Sequence, residues 1–93
     1  MYGRIISIGG TPTAVADFER DAVSKGIQAA KSLPGLNTLH VMIDRAKGKM
    51  AIVEIFDDAQ SATTAIKAMA GIRQIAEKGG LTMSMNDYAD VIT

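Results

Sequence analysis

Apolar residues recur along this chain with two different periods, and the switches between them mark six elements. Arg4 to Ile8 is a short isoleucine-rich run closed by Gly9-Gly10, which predicts a first strand. Thr11-Pro12 predicts a helix entry, because threonine caps free amides and proline at the first helical position has no N–H left unbonded. Val15, Phe18, Ala22, Ala29 and Leu33 then follow at three- to four-residue spacing, with Asp17, Glu19, Arg20, Lys25 and Lys31 largely on the other side. That is the stripe of an amphipathic helix, weakened at Gly26 and stopped by Pro34-Gly35. Two strand-like runs follow, Leu39 to Ile43 and Met50 to Phe56, joined by a turn containing Gly48. Asp57 with Gln60 resembles a capping box for a second helix, whose stripe is Ala62, Ile66, Met69, Ala70 and Ala76 and whose end is Gly79-Gly80. Leu81, Met83 and Met85 alternate with Thr82 and Ser84 as a fourth, half-buried strand. Asn86-Asp87 is read as its interruption, leaving Tyr88 to Thr93 as a tail.

The order strand, helix, strand, strand, helix, strand predicts an α+β, ferredoxin-like βαββαβ domain spanning residues 1–93: a four-stranded antiparallel sheet with two helices on one face. The middle hairpin is apolar on both faces, yet two helices cover only one. A second copy of the chain is the simplest cover for the other, which predicts a homodimer whose sheets pair into an α/β barrel. An odd loop in Asp44 to Lys49 places the branched residues Leu39, Val41, Ile43, Ala51, Val53 and Ile55 toward the helices. It leaves His40, Met42, Met50, Ile52, Glu54 and Phe56 together on the opposite face.

Composition narrows the function more than it suggests one. Ten basic and ten acidic residues balance, no run of like charge occurs, and aromatics are 4% of the chain. Neither a nucleic-acid platform nor an anionic membrane surface is expected. Cysteine is absent, which removes thiolate chemistry and cysteine metal sites. One histidine with scattered carboxylates makes no convincing metal site, so neither metal nor cofactor is expected. With no signal-like leader or span of membrane length, the expected location is the cytoplasm.

Leu33-Pro34-Gly35-Leu36, a strand ending Ile43-Asp44-Arg45, a glycine turn and Val53-Glu54-Ile55-Phe56-Asp57-Asp58 before an alanine-rich helix together resemble the antibiotic biosynthesis monooxygenase-like family of the dimeric α/β barrel superfamily. The resemblance implies sheet-to-sheet pairing, a ligand pocket beside each sheet, and in some members oxidation of polyketide quinols or cleavage of haem. Two positions depart from the family pattern. Phe56 stands where tryptophan is common, and Ala62-Thr63-Thr64-Ala65 lacks the histidine often found early in the second helix.

His40 is the candidate general base, with Glu54 as a partner that orients and charges it. The alternative is a histidine hydrogen-bonded at an interface and a glutamate paired with Arg4. Arg4, Met42, Ile52, Phe56 and Met83 form the expected substrate-binding set, methionines lending an adaptable wall. Three functions follow: a cofactor-independent monooxygenase acting on a small aromatic or quinol-type substrate, a non-catalytic binder of a small apolar or aromatic molecule such as haem, and a structural or regulatory homodimer.

Overall fold

A computed structural model describes all residues, Met1–Thr93, and has the ferredoxin-like α+β architecture. Strand β1 (Tyr2–Gly9) leads into a long helical segment in three parts: α1 (Pro12–Phe18), a π-helical turn (Glu19–Val23) and α2 (Ser24–Lys31). The hairpin β2 (Leu36–Asp44) and β3 (Lys49–Phe56) follows, then α3 (Ala59–Ala68), α4 (Ala70–Lys78) and β4 (Thr82–Tyr88). The sheet is antiparallel in the order β2-β3-β1-β4, so β2 and β4 form its edges. No helix is long and apolar enough to cross a membrane.

Thr11 caps α1 as expected, its hydroxyl oxygen accepting from the Ala14 amide at 3.1 Å. Val15, Phe18 and Ala22 are buried as expected, but the stripe then continues through Gly26 and Ala30, and Ala29 is exposed. The π-helical turn is the cause, since its wider winding shifts every later residue around the helix axis. The second helix is also divided, breaking at Met69, where the backbone leaves helical geometry for one residue. Its cap is Asp58, one residue later than expected, with Oδ1 accepting from the Ser61 amide at 2.8 Å. Asp57 instead donates its amide to the Gly35 carbonyl at 2.8 Å and accepts from the Asn37 side chain.

The hairpin corrects the expected division of faces. Asp44 pairs with Lys49 across the ladder, leaving four residues in the loop, an even number. Asp44 Oδ1 accepts from the Lys47 amide at 3.1 Å, and Gly48 takes φ +65°, where a Cβ would meet the Gly10 carbonyl oxygen. Only glycine fits that backbone without strain. His40 therefore stands opposite Val53, and Leu39 opposite Glu54. The helix-facing set is Leu39, Val41 and Ile43 with Met50, Ile52, Glu54 and Phe56. Ala51, Val53 and Ile55 lie with His40 and Met42 on the open face, so His40 and Glu54 do not share a side of the sheet.

Strand β4 runs on through Asn86-Asp87 rather than stopping there, because Asp87 pairs across the ladder with Arg4. The tail folds back: the Val91 amide donates to the Met1 carbonyl at 3.1 Å, and Val91 packs against Gly3 beside Ile55 on the open face. Between sheet and helices the core is in two pieces. Ile8, Val15, Phe18, Ala22, Met50, Ala76 and Leu81 fill one end, and Phe56, Ala62 and Ala65 the other. The middle is hollow.

Candidate functional site

Three neighbouring strands converge on that hollow. Arg4 on β1 lies directly opposite Glu54 on β3 and Asp87 on β4, so one row across the sheet carries a cation flanked by two carboxyl groups. Charged residues at such a depth persist only when their hydrogen bonds are met. Arg4, 3% exposed, has a partner for each of its three guanidinium nitrogens. Its Nε and Nη2 donate to the two carboxylate oxygens of Asp87 at 2.8 and 3.0 Å, and Nη1 donates to the Ala62 carbonyl at 2.8 Å. The guanidinium also lies 5.5 Å from the centre of the Phe56 ring, a cation–π distance. Tyr2 completes the cluster by donating its hydroxyl to Asp87 Oδ2 at 2.6 Å. The guanidinium hydrogen bond holds the Asp87 carboxyl below the usual aspartate range, against a smaller opposing effect of burial.

Glu54 is different. It too is 3% exposed, but its carboxyl group bonds to no other residue, although Arg4 is its cross-strand neighbour. No buried polar side-chain atom is sealed off without a partner, so the Glu54 oxygens must reach open space. That space is a cavity of about 310 Å³ between the sheet and the α3–α4 pair, walled mostly by Ile6, Ile52, Met69, Ile72 and Met83. A smaller hollow of about 40 Å³ continues from it toward α2, sharing Ile6, Ile52, Glu54, Met69 and Ile72. Desolvation by these apolar walls pushes the Glu54 carboxyl above its usual 4.5; Arg4 pulls it down less strongly, and Asp87 adds a further push upward. A carboxyl group held this way takes and returns protons closer to neutral pH than an exposed one.

Of the residues expected at a site, Arg4, Ile52, Glu54 and Met83 line the cavity together. Phe56 sits beneath the Arg4 guanidinium, fully buried, and supports the wall from behind. His40 and Met42 stand on the far side of the sheet, both exposed, Met42 by 55%. Asp87 belongs to the cluster and went unrecognised in the sequence. The signal for it was the parity of β4, in which Met83, Met85 and Asp87 alternate on one face. Ile66, Met69, Ile72 and Arg73, at and on either side of the break at Met69, complete the helical wall. No three histidine, aspartate or glutamate side chains come together to hold a metal ion.

Comparison with models of known protein families gives no match, and comparison with curated proteins gives none either. Solved structures do share the fold. A candidate antibiotic biosynthesis monooxygenase from Deinococcus radiodurans superposes with a TM-score of 0.81 at 18% identity, covering 100% of this chain and 95% of its own. A candidate antibiotic biosynthesis monooxygenase from Nitrosomonas europaea gives 0.81 at 11% identity, covering 99% and 100%. SnoaB, a cofactor-independent oxygenase from Streptomyces nogalater, gives 0.67 at 12% identity over 99% and 94%. The ferredoxin-like architecture expected from the sequence is thus shared with these solved structures.

Proposed function

We propose that this protein binds a small aromatic or quinol-type molecule in the cavity between sheet and helices and oxidises it with molecular oxygen, without a cofactor. The observation that carries this reading is Glu54: a carboxyl group with no protein partner, opening into an apolar cavity large enough for a small ligand, roughly 300 Å³ being the lower end for such sites. The shared fold supports the reading by analogy, since fold and chemistry are separable. Ionised Glu54 accepts the proton of a ring hydroxyl, and the resulting phenolate is electron-rich at the ring carbon para to it, which bears one hydrogen. That carbon forms a bond to oxygen, giving a hydroperoxide. Loss of water from the hydroperoxide leaves a carbonyl, so one oxygen atom enters the product and the other leaves as water. The substrate supplies all the electrons, and Glu54 returns the proton it took. Arg4 acts behind Glu54, fixing the row while its charge limits how far the carboxyl is pushed upward. The proton role moves from His40 to Glu54 because only the latter faces the cavity.

Oxygen uptake with a panel of hydroxylated aromatics is the test. Consumption above the spontaneous rate, unchanged in His40→Ala, is expected. Uptake no faster than the buffer control would sink the oxidation step. If ligands of the panel still raised the melting temperature, the protein would be a binder of such molecules rather than an enzyme.

The open face of the sheet supports a second element of the reading. Met42 is exposed there, and Ile5, Val53 and Ile55 are only half-buried. A second copy placing the same face against it buries both apolar patches at once, without opposing a net charge. Light scattering is expected to give twice the chain mass for the wild type and a shift toward monomer for Val53→Asp. A wild-type monomer at micromolar concentration rules out the pairing.

A further inference from the structure

The cavity is polarised along its depth. Its inner end holds Arg4 and Glu54, yet the Arg4 charge is already paired there, Nε and Nη2 donating to the Asp87 carboxylate while Nη1 donates to the Ala62 carbonyl. An anion pushed to that end would meet the Glu54 carboxyl group and lose its water as well. At the outer wall the balance reverses. Arg73 on α4 lines the cavity among Ile66, Met69 and Met85, and its side chain is 56% exposed. Its only hydrogen bond runs from Nε to Glu77 Oε1 at 3.1 Å, an exposed pair one helical turn apart. Nη1 and Nη2 have no partner in the protein, and a guanidinium presents such a pair of donors in the geometry that an oxyanion accepts. No acidic residue other than Glu54 lines the cavity.

From this arrangement we infer that Arg73 is a specificity-determining residue: the ligand is amphipathic, an apolar ring body filling the cavity and an anionic group, such as a carboxylate, remaining at the mouth on Nη1 and Nη2 of Arg73. The inference rests on the cavity being the binding site and adds the charge and orientation of its occupant. With the anion held outside, the opposite, uncharged end of the ring system is the part delivered to Glu54. The exposed pair with Glu77 is weakly held and does not compete strongly with a ligand anion, which can share the fork or replace Glu77.

Two fluorescent probes with the same ring frame test this. One is the anion 8-anilinonaphthalene-1-sulfonate, and the other is its neutral counterpart N-phenyl-1-naphthylamine. Arg73→Gln is expected to weaken the anionic probe about fivefold, with the difference shrinking at about 1 M salt, and to leave the neutral probe unchanged. Arg73→Lys, which keeps the charge and loses the fork, is expected to fall between. Ile66→Trp, which crowds the mouth, should weaken both probes. Equal affinity of wild type and Arg73→Gln for the anion, with Ile66→Trp still weakening both, overturns the role of Arg73 and leaves the cavity reading standing. Failure of the wild type to bind either probe, or binding indifferent to Ile66→Trp, overturns both.

Discussion

Glu54→Gln is expected to reduce turnover by roughly a hundredfold or more and, in the same protein, to raise the melting temperature above about pH 7. The two effects share one cause. A carboxyl group whose folded pKa is raised holds its proton more tightly in the native state than in the unfolded chain. Well below the usual value of 4.5 both states are protonated, and the group does not bias folding. As pH rises past that value the unfolded chain ionises first, and stability falls until the folded group has ionised too. Glutamine keeps the shape and removes the ionisation. Its gain should therefore be absent near pH 4 and present at pH 8. Thermal melts at the two pH values, run beside oxygen-uptake assays, check both halves. A variant with wild-type turnover removes Glu54 from the chemistry, and a pH-independent change in melting removes the argument from desolvation.

Arg4→Met should be the most damaging single substitution in the cluster, lowering stability by about 3 kcal/mol and the melting temperature by on the order of 15 °C. It leaves the Ala62 carbonyl short of its buried donor and the Asp87 carboxylate without its counter-ion. The loss stays near the lower end of what breaking a buried pair brings because the Asp87 side chain is 31% exposed, so water takes over part of the arginine's role. The substitution also alters the acid limb of the stability curve. In the wild type the Asp87 carboxyl lies below its ordinary range, so its contribution is present at neutral pH and disappears as pH falls through the folded value. Without Arg4 that contribution is missing from the start, and the acid limb flattens. Chemical denaturation of Arg4→Met across pH 3 to 7 measures both effects; an unchanged midpoint at neutral pH would falsify the structural role assigned to the ion pair.

The element order, the entry of the first helix and the family-like layout were legible because they depend on local signals: a proline after a threonine cap, a glycine pair closing a helix, alternation in short strands. Two features were illegible for the same physical reason, namely that they hang on one residue more or less. The hairpin loop holds four residues instead of an odd number, and this moved Glu54 and Phe56 to the helix side and separated them from His40. Residue type argued the other way, since Val53 and Ile55 suit a covered face as well as Ile52 does. The π-helical turn likewise exchanged Ala29 for Ala30. Asp87 was hidden by its charge. An acidic residue in an apparent strand reads as a break until the arginine that neutralises it, eighty-three positions earlier, is brought alongside. Glu54 was identifiable as a candidate, but its significance lay in the bond it does not make, which no sequence records.

The hydrogen bond between Val91 and Met1 has a practical consequence for anyone handling the protein. It brings both ends of the described chain to one spot, beside Gly3 on the open face of the sheet. An affinity tag or fusion partner attached at either end would begin beside the face proposed to meet a second copy. Purification handles should therefore be cleaved before mass is measured. By the same adjacency, joining the two ends with a short linker and reopening the chain elsewhere should preserve the fold while clearing that face.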